Sequence, residues 1–495
     1  MDNTEATQSI VTKGGTQVVP PEGVLSNSLN IANIRIHGLW RDQNDDRHIS
    51  YIQTDGNILL FCTRGREIRN WLMREHYGDT GEILTDDLLE RAVKLLDSMC
   101  LLEGKDIYLG VRTTWENKKI CIDGINKIYQ LDTTGIREYL PKVPLFRRYP
   151  SMKPLAVPVG GGDPRKILKF INIKDELDQI LFLTHLIYGF VPGYPHPILV
   201  FFGPQGSSKS TAMKLYFSIV DPNVLTDIHT YSEMEFELAA IQRWAVGLDN
   251  ISSINTRFSD TLCKIVTGAS FSRRVLYTTD DMITQKYMRV ILINGVSLPV
   301  DKPDLMDRCL LVPLERIDNS VRKDEETLFA EFESVRGEIL GGCFDAISKA
   351  IALLPSVPKF YDTRMTDFAR WGCAIAEALG YAREQFIAAL ERNTKLQNEE
   401  SLDASPIAAV LNYYFGKSHQ KSLRGTATRL LIDLRNETEG SGIDPRMLPS
   451  NPKILGKKLM EIKPNLEADG YRVYFNRGKE RIWTIEPPSP SSESS

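Results

Sequence analysis

The chain has none of the features that would place it outside the cell, in a membrane or among structural metalloproteins. Its seven cysteines, at positions 62, 100, 121, 263, 309, 343 and 373, form no CxxC pair and have no histidine at metal-ligand spacing. They read as reduced, mostly buried thiols of a cytoplasmic protein. The seven histidines form no cluster. The N-terminus carries acids and no apolar core, so it does not read as a secretory signal. No apolar run approaches the length of a membrane span, and no membrane partner is expected. A strong charge of one sign is also missing: 60 Lys and Arg against 64 Asp and Glu leave a net charge of −4. Contact with nucleic acid must therefore come from local patches.

What is present is a soluble-type composition, 42% hydrophobic and 25% charged, in a 495-residue chain too long for one core. Residues 1–30 are rich in Thr, Ser, Gly and Asn and read as a disordered N-terminus. Residues 31–140 read as a small α/β domain, with strands at 58–62, 107–111 and 119–122 and helices at 66–76 and 85–101. Asp45, Asp46 and His48 within it suggest a metal site but read better as an ordinary polar loop. A connector at 141–164 holds six prolines and Gly160-Gly161-Gly162. A helix is expected at 174–189.

The most informative stretch is 198–211. Five apolar residues run into Gly203-Pro204-Gln205-Gly206-Ser207-Ser208-Lys209-Ser210-Thr211, followed by a helix-compatible segment. Strand, glycine turn, Lys-Ser and helix are the parts of a phosphate-binding loop. The glycines let backbone N–H groups surround a polyphosphate, and the helix N-terminus adds partial positive charge. Lys209 would reach the phosphates of ATP, and the Ser210 hydroxyl would ligate Mg²⁺. The plain alternative is a glycine-rich βα turn with no ligand. About 40 residues on, an apolar run ends in Asp249, the form of a strand whose acid organises Mg²⁺ opposite Ser210. A further strand, within 286–293, ends at Asn294, where a sensor of the γ-phosphate or of the attacking water belongs.

The order of these pieces, with the Thr267-Gly268 to Arg274-Val275-Leu276-Tyr277 segment and Asp304-Leu305-Met306-Asp307-Arg308, resembles the superfamily-3 helicase branch of the AAA+ ATPases. That branch occurs in phage, plasmid and poxvirus primase-helicases. The likeness covers 165–317 and extends weakly on both sides; the Asp249-Asn250 pair and 364–369 are part of it. The resemblance implies a P-loop AAA+ ATPase domain at 165–320 in an α/β fold. Gly203, Gly206, Lys209 and Ser210 become its nucleotide loop and Asp249 its Mg²⁺-organising acid. Asn294 becomes sensor 1, and Arg308 an arginine finger that serves the neighbouring subunit. It further implies a homo-oligomeric, hexameric ring, a separate primase as partner, and a pore-lining hairpin bearing Arg273, Lys286 and Arg289 for DNA, single-stranded or forked. There are two departures. Ser208 replaces the usual Gly, and Asn250 stands where many AAA+ proteins carry the Glu that polarises water. Asp249, Glu233, Glu235 or Asp280 would then take that task.

Residues 321–416 read as a helical domain. Residues 417–485 contain fourteen Lys and Arg against eight Asp and Glu. Helices at 421–436 and 452–468, followed by a two-stranded ribbon tipped by Arg477 and Lys479, read as a winged-helix-like domain at 417–486 that touches DNA. Residues 487–495 form a Pro/Ser-rich tail. These features predict an ATP-dependent DNA helicase or translocase acting in replication of a mobile element. The alternatives are a nucleotide-gated DNA-binding or defence-related switch that unwinds nothing, and a small-molecule kinase, which the absence of an acceptor-site signature disfavours.

Overall fold

A computed structural model describes residues 11–12, 15–16, 36–224, 232–274, 282–295, 302–318, 322–359, 364–418, 422–478 and 480–488. Its N-terminal unit is an antiparallel sheet of Ile36–Arg41, Arg47–Ile52 and Ile58–Cys62, with Lys105–Asp106 added in parallel to Ile36–Arg41. Two helices, Arg66–Thr80 and Asp86–Glu103, cover one face and enclose Leu39, Ile49, Trp71, Leu72 and Leu96. The strand expected at 107–111 does not form; only an isolated bridge joins Gly110 to Phe146.

A four-stranded meander follows, from Thr113–Glu116 through Lys119–Asp123 and Ile128–Asp132 to Gly135–Tyr139. It alternates between hydrophobic and polar positions. Its buried face (Ile120, Ile122, Tyr129 and Leu131) joins the large central core rather than the N-terminal one. Packing thus divides the chain before the meander, not at the connector 141–164. Arg112, fully buried, fixes the junction. It donates to Asp221 Oδ1 at 2.8 Å and to the carbonyls of Asp123 and Pro222. Asp221 Oδ2 in turn accepts the N–H groups of Trp244 and Ala245. A buried charge needs this completeness, because losing either partner leaves the other uncompensated in a low-dielectric interior.

The central sheet runs in the order Ala245–Leu248, Val290–Gly295, Ile198–Phe202, Cys309–Pro313, with every neighbouring pair parallel. These strands are nearly continuous runs of Val, Ile, Leu and Phe because helices cover both faces. Parallel pairing brings the C-terminal tips of all four to one edge, where open α/β sheets bind ligands. Helices Glu176–Tyr188, Lys209–Val220, Glu233–Gln242 and Thr256–Thr267 belong to this layer. The helices Glu325–Leu353, Thr366–Ala378 and Arg383–Asp403 pack onto the same core through Phe332, Phe344, Phe368 and Phe386. Among the described residues one helical segment, Glu325–Ser356, is long and apolar enough to cross a membrane, and 56% of its apolar window is buried inside the protein.

The C-terminal part has its own core. Ile407, Leu411, Leu430, Leu434, Leu455, Leu459, Trp483 and Ile485 pack together under the helices Pro406–Ser418, Ala427–Asn436 and Pro452–Ala468. A three-stranded sheet completes it: Leu423–Thr426 pairs with Arg481–Glu486, which pairs with Arg472–Arg477. This unit begins near 402, not at 417, because the helix Pro406–Ser418 supplies part of its core.

Candidate functional site

Strand Ile198–Phe202 leads directly into the glycine loop, and the helix beginning at Lys209 leads out of it. Gly203 has φ +139°, and a Cβ there would stand 2.2 Å from the Leu314 carbonyl oxygen. Gly206 has φ +82°. Both positions therefore need glycine. Ser208, the residue that departs from the family pattern, is left-handed as well, with φ 59° and ψ 37°. The backbone thus keeps the glycine-type conformation although the side chain has changed. Pro204 and Gln205 are exposed at the loop tip, Ser207 is buried, and Thr211 lies in the first helical turn.

Lys209 Nζ folds into the loop. It donates to the carbonyls of Gly203 at 2.8 Å and Pro204 at 2.9 Å, and to Ser207 Oγ at 3.3 Å. Burial pulls its pKa below the usual lysine value, partly opposed by Asp249. Beside it Ser210 Oγ donates to Asp249 Oδ1 at 2.7 Å. The same carboxylate oxygen accepts the Asn294 side-chain amide at 2.5 Å. Asn294 Oδ1 accepts the backbone N–H of Asn250 at 2.6 Å, and its main-chain carbonyl accepts that of Ile251 at 3.0 Å. Ser210, at the start of the loop helix, thus meets Asp249 and Asn294 at the ends of two neighbouring strands. Asn250 has φ 54°, a conformation asparagine tolerates.

A hydroxyl and a carboxylate oxygen in contact are hard donors of the kind Mg²⁺ takes, so Ser210 and Asp249 fit that ion. Among the described residues no group of three or more His, Cys, Asp or Glu gathers as a metal site. The polar loop at 45–48 resolves accordingly: buried His48 pairs through Nε2 with Asp42 Oδ2 at 2.9 Å, and Asp46 pairs with Arg147 at 2.5 Å. The acids considered as substitutes for the missing Glu are otherwise engaged. Glu235 closes a capping box with Ser232, and Glu233 accepts from Thr261 Oγ1 at 2.8 Å. Asp280 lies outside the described residues.

Arg289 is a correction. It is 8% exposed, and its guanidinium donates to the carbonyls of Ala240 at 2.5 Å, Met288 at 2.8 Å and Ile241 at 3.3 Å. It closes the C-terminal turn of helix Glu233–Gln242 and is not available to DNA. The hairpin backbone expected beside it exists as Ser270–Arg274 paired with Met282–Lys286. The side chains of Arg273 and Lys286, that of Arg477 and all of Lys479 lie outside the described residues.

Arg308 sits at the opposite end of the sheet from the loop. Its carbonyl accepts the N–H of Ile198, the first residue of the loop strand. Among the described residues its guanidinium pairs with Asp304 at 3.5 Å and lies against the Cys263 thiol, and its buried Nε has no partner. Arg364 instead holds the neighbouring acids, pairing closely with Asp304 and at 3.4 Å with Asp307. Burial works against it, but Arg364 and Arg308 keep the Asp304 pKa below its usual value. Arg364 carried no assigned role beyond its membership of a weakly similar stretch. Two further cations escaped it altogether: Arg316 and Arg322 both approach Gly206. The signal available was a pair of arginines just after the strand that neighbours the loop.

The fold is that of a multi-domain α/β protein with a parallel sheet, a glycine loop at its C-terminal edge and a separately cored C-terminal unit. Residues 165–393 match the model of the actinomycete integrative conjugative element replication protein, and residues 404–494 match that of the AICE RepA C-terminal domain. The chain is a replication protein of a mobile element. Comparison with curated proteins gives no match. Two solved A-form apo structures of the NrS-1 C-terminal region, one of residues 305–718, are similar at 12% and 11% identity, with TM-scores of 0.38 and 0.39. The matches cover 91% and 90% of this chain and 96% of each of those.

Proposed function

We propose that this replication protein is an ATP-dependent DNA translocase or helicase that works as a homo-oligomeric ring, on a P-loop core of the AAA+ superfamily-3 type. The meeting of Ser210, Asp249 and Asn294 beside the Lys209 loop carries the reading. A nucleoside triphosphate would lie against the loop N–H groups and the N-terminus of helix Lys209–Val220. Lys209 would exchange its loop carbonyls for phosphate oxygens, a stronger charge-assisted partner. Ser210 and Asp249 would hold Mg²⁺, which when bound offsets negative charge on the phosphates. Asn294 fixes the Asp249 carboxylate and can orient water toward the γ-phosphorus. Water would attack the γ-phosphorus in line, the bond to the bridging oxygen would break, and ADP and inorganic phosphate would leave, with the water proton released to solvent. Arg308 of an adjacent subunit would stabilise the transferred group.

The C-terminal unit, with the helix and strand order of a winged helix, would carry part of the DNA contact. Its helix Pro452–Ala468 exposes Lys453, Lys457 and Lys458. The hairpin at 270–286 would supply another part, through Arg273 and Lys286. A second reading, a nucleotide-gated switch without unwinding, draws support from Asn250, which cannot act as a base. ATPase assays of wild type and Lys209→Ala, with and without single-stranded DNA, test the proposal, and a forked duplex separates the two readings. DNA-stimulated turnover that vanishes in Lys209→Ala is expected. Unchanged turnover in that variant overturns the site.

A further inference from the structure

Beyond the last sheet strand the chain doubles along the glycine loop. Leu314 extends the ladder by donating its N–H to the Phe202 carbonyl at 2.8 Å. Its own carbonyl is so close to Gly203 that any side chain there would collide. Three residues on, the Ile317 N–H points at the Gly206 carbonyl at 3.4 Å. This path places two exposed arginines over the turn. Arg322 Nη1 lies 3.9 Å, and Arg316 Nε 4.0 Å, from the position a Cβ would take on Gly206. Both measurements refer to one point, so the two guanidiniums stand within about 8 Å of each other.

Neither arginine has an ion-pair or hydrogen-bond partner among the described residues. The contrast with nearby cations is informative. Lys323, next in the chain, pairs with Glu331, and Lys214, on the loop helix, pairs with Glu325. Two unpaired guanidiniums beside a third cation, Lys209, repel one another, and an anion placed among them removes that cost. Arginine also presents a planar fork suited to phosphate oxygens, where lysine offers a point charge.

We infer that Arg316 and Arg322 form a same-chain clamp on the phosphate tail of a nucleoside polyphosphate held by the 203–209 loop. The inference rests on the nucleotide reading above and deepens it. It assigns the tail a second cationic wall, distinct from Lys209 and from an arginine supplied by a neighbour. Affinity should therefore climb with the number of phosphates, and the climb should depend on these two residues.

The experiment titrates fluorescent AMP, ADP and ATP analogues, with Mg²⁺, into full-length wild type, Arg316→Ala/Arg322→Ala, Arg316→Lys/Arg322→Lys and Lys209→Ala. Both arginines are exposed, so unchanged thermal unfolding checks that the variants fold. We expect the double alanine variant to lose at least about tenfold in ATP affinity and much less in AMP affinity, with partial recovery in the double lysine variant. ATP affinity equal to wild type in the double alanine variant, alongside its loss in Lys209→Ala, overturns the clamp and leaves the nucleotide site standing. Retained ATP affinity with weakened binding to single-stranded DNA overturns it in favour of a DNA contact. Wild-type binding by Lys209→Ala overturns the underlying site as well.

Discussion

The side-chain amide of Asn294 donates to Asp249 Oδ1 at 2.5 Å, joining the tips of two adjacent parallel strands. Because Asn294 also receives the Asn250 N–H, it holds both the carboxylate and the backbone that follows it. Asn294→Ala removes this brace without touching the loop. Hydrolysis should fall by about 10²-fold or more while nucleotide affinity stays within a few-fold, as when a preorganised polar group is removed from a reacting centre. Single-turnover hydrolysis and analogue binding on the same preparation check it. Parallel loss of both would show that Asn294 shapes the nucleotide site itself.

Ser208 occupies a left-handed conformation at φ 59°. For a non-glycine residue that costs about 1–2 kcal/mol, partly offset because glycine has more freedom to lose on folding. Ser208→Gly should keep nucleotide binding and change stability by less than about 1 kcal/mol, in the stabilising direction. Ser208→Val, β-branched and ill suited to positive φ, should destabilise by about 1–2 kcal/mol. Denaturant midpoints of both variants read the difference.

Two buried histidines beside the loop strand make the fold sensitive to acid. His185 donates from Nε2 to the Pro197 carbonyl at 2.8 Å and accepts at Nδ1 from the Tyr216 hydroxyl at 3.1 Å. His196 contacts the Tyr188 carbonyl at 3.1 Å. Burial pulls His185 down to about 4 and His196 to about 3. A lowered histidine pKa means that the unfolded chain takes up the proton first. Their contribution is complete above the unfolded value near 6.5 and is lost as pH falls from there toward the folded values. Each should remove about 1.4 kcal/mol per pH unit in that window. Unfolding midpoints measured from pH 7 to 5 should fall, and His185→Gln should flatten the slope.

The C-terminal unit closes its own core from Leu402 to Ile485. A fragment of residues 400–495 should fold alone and bind DNA with an affinity that falls steeply with salt. Lys457→Glu/Lys458→Glu should reduce that salt slope. Circular dichroism of the fragment and DNA titrations at two salt concentrations decide it. A folded fragment with no DNA affinity would make the unit a protein-interaction module.

The form of the glycine loop was legible because it is built from contiguous residues: a strand, glycines at fixed places, then Lys209 and Ser210 at the start of a helix. Asp249 and Asn294 were legible because each ends an apolar strand, and parallel pairing brings strand ends together. Arg289 was misread because sequence displays its charge but not the three carbonyls that absorb it. The Asp304–Arg364 pair spans 60 residues, and no local pattern announces it. The meander was assigned to the wrong core for a similar reason. Ile120, Ile122 and Leu131 show an alternating face but not which surface that face meets.

Arg308 tests mechanism and assembly together. It precedes the strand Cys309–Pro313, whereas the loop follows the strand paired to it, Ile198–Phe202. Five residues of strand span about 16 Å, more than an arginine side chain reaches, so Arg308 cannot serve the loop of its own chain. Among the described residues its only ion pair is the 3.5 Å contact with Asp304, an acid already held by Arg364. Such a pair contributes about 0–1 kcal/mol at a surface, and its loss alone would leave turnover nearly unchanged. In a ring, the same edge would face the nucleotide of the next subunit, where an arginine finger is worth about 10³–10⁵ in rate. Arg308→Ala should therefore retain ATP binding and lose hydrolysis. Mixing it with Lys209→Ala protein should restore part of the turnover, because an intact loop in one subunit then meets an intact Arg308 from its neighbour. Full activity of Arg308→Ala alone would remove both the finger and the argument for a ring. Loss of activity without rescue on mixing would leave Arg308 acting within its own subunit, through the Asp304 and Arg364 cluster.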